Sequence, residues 1–300
     1  MRQQGPILVP LDGSETAEGA LPYASALATA LRTHLVLLTV WEGTESELGA
    51  NFPSMAVEIQ QAADAHFGQY LDGIRQRLHG ADQIRTIVRS GDASDTILDV
   101  AEETGARAIA IATHGRSGIG RWLYGSTASS ILHRSPIPVL AIGPNSLRRN
   151  AETASIAHIM LPLDGSELSE RAIPVAKDIA AAVKAKLSLV RVVRWAVQAY
   201  PYSLPDAYVP QVDQELEAGA KAYLRRQEEA LKGEVDVDAF VVRGAVADGL
   251  LDFVDQKKVD LTIMTTRART GIARAALGST ADRMLQGNAP VLLIPPEAVS

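Results

Sequence analysis

Two stretches concentrate the residues whose types and spacing could hold a ligand. In "VPLDGSE", residues 9–15, the carboxylate of Asp12 follows directly on an apolar run. In "ATHGRSGIGRWLYGST", residues 112–127, Gly115, Gly118 and Gly125 lead into the hydroxyls of Ser126 and Thr127. Glycine has no Cβ, so such a backbone can take positive φ and come close to a ligand oxygen. Ser126 and Thr127 would stand where a helix begins, beside amide N–H groups that lack intrahelical partners and at the positive end of the helix dipole. The chemistry this favours is an anion cradle. Each part has a plainer use as well: Ser126 could merely cap a flexible strand-to-helix connection, and Asp12 could bond nearby N–H groups in a turn. His114 could act as a general base or phosphate donor, or as an ordinary hydrogen-bonding loop residue. No paired carboxylates or nucleophile motif accompany it, and "HGRSGIG" lacks the lysine of a Walker phosphate loop.

Both stretches recur. "LPLDGSE" stands at residues 161–167 and "TTRARTGIARAALGST" at 265–280, the spacing being 152 residues for Asp12 and Asp164 and 153 for Gly91 and Gly244. Similarity that keeps its order to the end of both copies marks a duplication. The polar, aperiodic "NSLRRNAETAS" falls between the copies, so the expected domains are 1–145 and 155–300, with a linker at 146–154. In copy one, "PILVPL", "HLVLLTV", "IRTIVR", "ARAIAIAT" and "PVLAIG" read as short strands buried on both faces. Helical spacing or composition occupies Thr16 to Arg32, Glu58 to Leu78, Ser94 to Glu103 and Ser126 to His133. Alternating strands and helices predict an α/β fold: two tandem αβα domains, each with a parallel sheet and right-handed crossovers. Ligands of such sheets gather at the carboxyl ends of the strands, which is where both motifs fall.

Bulk properties narrow the partners. Among 300 residues 21% are charged and the formal net charge is -6, without the basic footprint that nucleic acid or an anionic membrane selects. The amino terminus has too short an apolar run for a signal peptide, and no stretch reaches membrane-spanning length. Absence of cysteine excludes disulfides and thiolate chemistry. A cytoplasmic location is the expectation.

The strand ending in "PLDGS", the valine closing the second strand and the glycine loop running into "GST" before a final "PVL" strand are similar to the universal stress protein family in its tandem form. The resemblance covers nearly all of both copies apart from the linker and the segments after each second strand. It implies a Rossmann-like fold, akin to the adenine nucleotide alpha hydrolases, with five parallel strands per domain in the order 3-2-1-4-5. It also implies ATP between the first and fourth strands, any Mg2+ being carried on the phosphates. The family's signature, G-x2-G-x9-G followed by Ser or Thr, puts Ala112 at the first glycine, Gly115 at the second and Gly125 at the third, with Ser126 and Thr127 after it. By the same matching Asp12 serves the ribose and Val40 borders adenine. Pro10, Leu11 and Ile111 form the walls, and His114, Arg116 and Gly118 belong to the phosphate loop.

Copy two departs further. Thr265 and Ala268 take the first two glycine positions, while Gly278, Ser279 and Thr280 are kept and Leu163, Asp164 and Val192 match the nucleoside end. Arg267, Arg269 and Arg274 could grip phosphate or could simply be solvated. Weaker or altered nucleotide binding is expected there. Segments 42–57 and 194–210 follow the second strands, where a lid, a partner surface or plain packing could lie; the latter holds Tyr200, Tyr202 and Tyr208. Single domains of the family pair through their last strands, so "PVLAIG" and "PVLLIP" are expected to pair within this chain, and a further homodimer is compatible with that. Three functions stay open: a non-enzymatic ATP-binding stress-response protein, which is the favoured reading; a weak ATP hydrolase or nucleotidyl-transferring enzyme; and a structural pseudo-dimer that binds no nucleotide.

Overall fold

The computed structural model describes residues 5–41, 53–78, 83–113, 124–148, 154–195, 209–266 and 277–296. In the first half β1 (Ile7–Pro10), β2 (Leu35–Trp41), β3 (Arg85–Ser90), β4 (Ala108–Ala112) and β5 (Val139–Ile142) are all parallel, in the order β3-β2-β1-β4-β5. The second half repeats this with β6 (His158–Pro162), β7 (Lys186–Val193), β8 (Val237–Arg243), β9 (Leu261–Thr265) and β10 (Val291–Ile294). The last strands join the halves: β5 and β10 pair antiparallel, with Leu140 opposite Leu292, and a single ten-stranded sheet results.

Side chains alternate across this sheet, as strand geometry requires. Ile7 and Val9 enter one core layer and Leu8 the other; Leu292 and Ile294 enter the first, Val291 and Leu293 the second. Each layer therefore runs unbroken through both halves. The first layer is covered by α2 (Leu21–Ala30) and α3 (Pro53–Arg77), the second by α4 (Ala93–Glu103) and α5 (Ser126–Arg134).

Helix boundaries depart from the sequence pattern at proline. The sequence pattern predicts one helix from Thr16 to Arg32; instead α1 (Glu15–Glu18) stops and α2 begins after two intervening residues. Pro22 has no N–H to give the carbonyl of Glu18 and disfavours helical backbone before it, so the continuous pattern must break. Pro174 divides α7 (Glu167–Glu170) from α8 (Ile173–Val183) in the same way. The second helix starts at Pro53 rather than Glu58, proline being well suited to a first helical turn. Residues 146–148, expected within the linker, belong to the short helix α6 (Pro144–Arg148). There the buried Ser146 donates to Gly287 O (3.2 Å) and accepts, at its carbonyl, the Tyr23 hydroxyl (2.7 Å), while Asn145 donates to Gln286 O (2.7 Å). This short helix is a clasp between the halves.

A repeated brace holds the turn after each first strand. Tyr70 of α3 donates its hydroxyl to Glu18 (3.1 Å), and Tyr223 of α9 (Val209–Leu231) donates to Glu170 (2.9 Å). Burial first, then the adjoining carboxylate, pushes both phenols well above the ordinary tyrosine range.

Two tests follow from the packing. A Cβ at Gly143 would come within 1.9 Å of Leu285 O across the seam, whereas one at Gly73, exposed on α3, meets nothing within 4 Å. Gly143→Ala should cost about 1–3 kcal/mol in a denaturant titration, and Gly73→Ala should add about 0.5–1 kcal/mol. The second concerns pH. The unfolded chain ionises its tyrosines near pH ~10, while the folded chain keeps Tyr70 and Tyr223 protonated beyond that point. The unfolded state therefore sheds protons first, and stability should be level below this value and fall as pH rises through it. Denaturant midpoints across the alkaline range should fall less steeply in Tyr70→Phe and Tyr223→Phe than in the wild type.

Candidate functional site

At the carboxyl ends of β1 and β4 the first half holds a cavity of about 320 Å³. Nine residues expected from the sequence line it: Pro10, Leu11 and Asp12 after β1, Val40 from β2, Ile111 and Ala112 closing β4, and Gly125, Ser126 and Thr127 at the start of α5. Leu11 and Ile111 are buried walls, Val40 and Ala112 are half-buried, and Asp12 and Ser126 are exposed. His114, Gly115, Arg116 and Gly118 lie outside the described residues, as do Trp122 and Tyr200, Tyr202 and Tyr208.

Local chemistry builds the floor. Leu11 N still bonds Leu38 O (2.8 Å), so the strand ladder lasts to this residue and the chain then turns. Asp12 Oδ1 accepts from Ser14 N (2.9 Å) and Ser14 Oγ (2.6 Å), and Ser14 Oγ in turn caps α1 by accepting from Ala17 N (3.1 Å). Gly13 sits at φ 80°, where a side chain would be strained. Asp12 is thus a turn residue in fact, but both bonds use one carboxylate oxygen, and the second takes no part in the turn.

Two questions about glycine resolve at the cradle. Ala112 stands where the signature has glycine, and it is the last residue of β4; neither it nor Thr265 is among the positive-φ residues, so neither substitution strains the backbone. Gly125 adopts φ -54°, open to any residue, while its counterpart Gly278 adopts φ 96°. The two loops therefore reach their helices differently. What they share is the lack of a side-chain cap: α1 is capped by Ser14, α4 by Asp92 and α7 by Ser166, but α5 and α11 (Ser279–Met284) have none, as is true also of α2, α8 and α10 (Val246–Lys257). Their first amide N–H groups are not spent on a capping side chain.

The second half holds a matching cavity of about 350 Å³, lined by Leu163, Asp164, Val192, Thr265, Gly278, Ser279 and Thr280, all expected from the sequence. Asp164 makes the same turn as Asp12, accepting from Ser166 N (2.9 Å). Ala268, with Arg267, Arg269 and Arg274, lies outside the described residues. Sequence reasoning missed Ser14 and Ser166, whose signal was the hydroxyl of "DGS", together with Ala93 and Ile97 from α4 and Arg194 just past β7. Arg194 adds a cation to the second cavity; Glu42 takes its place in the first copy, outside the described residues. No described helix is long and apolar enough to cross a membrane.

Comparison with known proteins places this geometry. The model of the universal stress protein family matches residues 5–143 and again 156–295. A universal stress protein of Methanocaldococcus jannaschii, MJ0531, is 31% identical over 154 residues, which span 50% of this chain and 88% of that protein. One from Mycolicibacterium smegmatis is 26% identical over 306 residues and covers 97% of both chains. The crystal structure of a universal stress protein from Archaeoglobus fulgidus superposes with a TM-score of 0.72 at 19% identity, over 97% of this chain and 98% of that one, a likeness of fold. With two matched copies and an αβα layer structure in each, the chain belongs to the universal stress protein family, in its tandem form.

Proposed function

We propose that the chain is a non-enzymatic ATP-binding protein, with the nucleotide held in the first-half cavity. The observation that carries this reading is the uncapped amino end of the nine-residue α5 opening onto a cavity at the β1–β4 crevice. Its size lies within the range of small-molecule sites, and its two ends differ in chemistry as a nucleotide's do. Leu11, Val40, Ile111 and Ala112 offer apolar walls to the base, Asp12 a carboxylate oxygen to the ribose, and Ser126 and Thr127 hydroxyls beside free-ended amides to the phosphates. Any divalent ion would arrive on the phosphates.

Binding rather than turnover is favoured by the same residues. Asp12, the carboxylate lining this cavity among the described residues, commits one oxygen to its own turn and is read as giving the other to the ribose. The apolar walls and hydroxyls offer no strong base to activate water. The second cavity is read as a weaker or altered nucleotide site: its helix α11 has six residues against nine, and Thr265 adds a β-branched side chain where the first half has Ala112. The product of binding would be a changed conformation or contact.

Isothermal titration with MgATP should show one dominant site. Asp12→Ala and Ser126→Ala should each weaken it by about 5- to 20-fold, the loss of a hydrogen bond to a charged or sugar group, whereas Asp164→Ala should leave the main isotherm in place. Two equal sites would remove the asymmetry. Incubation of the purified protein with bound ATP for hours should release neither ADP nor AMP; steady production of either would make the protein an enzyme.

A further inference from the structure

The opposite edge of the first-half sheet carries a second feature. At the amino ends of β1 to β4 a cleft of about 880 Å³ is lined by Arg32, His34, Gln83, Arg85 and Arg107, with Gly5 and Thr33 between them. The duplication supplies an internal control. The same place in the second half is a recess of about 270 Å³ that includes Lys184 and Asp236, the counterparts of Arg32 and Gln83. Backbone geometry is alike, Arg32 and Lys184 both taking left-handed φ (49° and 56°) beyond the ends of α2 and α8. Charge is not alike. His34, Arg85 and Arg107 of the first half correspond to Lys186, Asp238 and Asp260.

In the second half these charges are satisfied internally. Lys186 pairs with Asp238 (2.6 Å), and Asp260 accepts from Ala157 N and His158 N (3.0 Å each). In the first half the three aspartate positions hold Gln83, Arg85 and Arg107, so the described lining carries three guanidinium groups and no carboxylate. Among the described residues no ion pair is formed by Arg32, His34 or Arg85. Arg107 donates through Nη1 to Leu31 O (3.0 Å), while its buried Nε has no hydrogen-bond partner among the described residues; the Asp178 carboxylate of α8 favours its charged form against the effect of burial. Proximity to a helix carboxyl end accounts for Arg32, since Lys184 shares that position, but not for Arg85 or Arg107. Like charges gathered in a cleft repel one another and lower stability unless an anion joins them.

We propose that this cleft binds a compact polyanion bearing two or more phosphate-type groups, at a site separate from the nucleotide cavity. Guanidinium forks match phosphate oxygens in pairs, and three of them around one cleft favour a ligand with several such oxygens. Among the described residues the lining offers no ring apart from the His34 imidazole on which a base could stack, so recognition runs through charge density. The site does not rest on ATP binding in the other cavity.

The test is isothermal titration of the full chain with inorganic tripolyphosphate, with and without saturating MgATP. One site is expected under both conditions, weakening as salt is raised. It should weaken about ten-fold or more in Arg85→Asp, which installs the second half's residue, and clearly in Arg32→Ala. Both side chains are exposed and each substitution removes a repelling charge, so neither variant should melt below the wild type and their binding can be compared directly. The proposal is overturned if millimolar tripolyphosphate gives no heat, or if both variants bind as tightly as the wild type. Binding that MgATP abolishes and neither substitution affects would also overturn it, because the anion would then occupy the nucleotide cavity.

Discussion

One topological constraint governs the molecule: β1 and β4 are parallel neighbours whose onward connections leave on opposite faces of the sheet. The chain after β1 enters α1 and α2 over one core layer, and the chain after β4 enters α5 over the other. Two backbones that part in this way cannot close over the ends of their strands, so a gap persists between them at the carboxyl edge. Polar chemistry then has one place to go. Asp12 begins where the last ladder bond of β1 ends, and the uncapped amino end of α5 rises from the far side. The cavity follows from strand order, and the residues in it decide its use.

Fusion of two such units fixes a second relation. Because β5 and β10 pair antiparallel while every strand within a half is parallel, the carboxyl ends of the two halves face opposite edges of the sheet. The amino-edge cleft of the first half therefore opens on the edge that carries the second half's cavity. Shared core layers and the α6 clasp make the seam part of the interior, with Gly143 packed directly against the Leu285 carbonyl.

The fold was legible in the sequence because its signals are local and doubled. Short Ile, Val and Leu runs can be strands buried on both faces, and a motif written twice can be checked against itself. Each described residue named from "LDGS" and "GST" lines a cavity, since the first motif sits where a strand ends and the second where a helix begins. What was missed depends on partners distant in sequence. The Tyr70–Glu18 and Tyr223–Glu170 braces join residues more than a helix apart, and nothing at either position announces the other. Helix breaks at Pro22 and Pro174 were locally readable, but an apolar pattern running through them masked the missing N–H. Residues 146–148 of the α6 clasp look like linker in the sequence because the polar groups there serve the opposite half rather than a helix face.

Duplication within one chain also frees the halves from a rule that binds dimers of identical subunits. Across an exact twofold, a contact from one position to another must occur twice. Here Tyr124, next to the α5 cavity helix, donates to Asp282 Oδ1 (2.6 Å) in the first turn of α11, while the symmetry-related positions are Leu277 and Ser129 and cannot repeat the bond. Burial and that carboxylate hold the Tyr124 phenol well above its ordinary range. The bond links the amino-terminal regions of the two cavity helices in one direction of the pseudo-symmetry. The same freedom lets Arg85 face a cleft where its counterpart Asp238 closes an ion pair. Divergence of this kind leaves the strand positions buried in both halves, even where Val36 and Ile109 correspond to Ser188 and Thr262, because alternation on a shared sheet constrains both halves equally. It gathers instead at loop ends and sheet edges, where a changed charge alters what can bind without altering what packs.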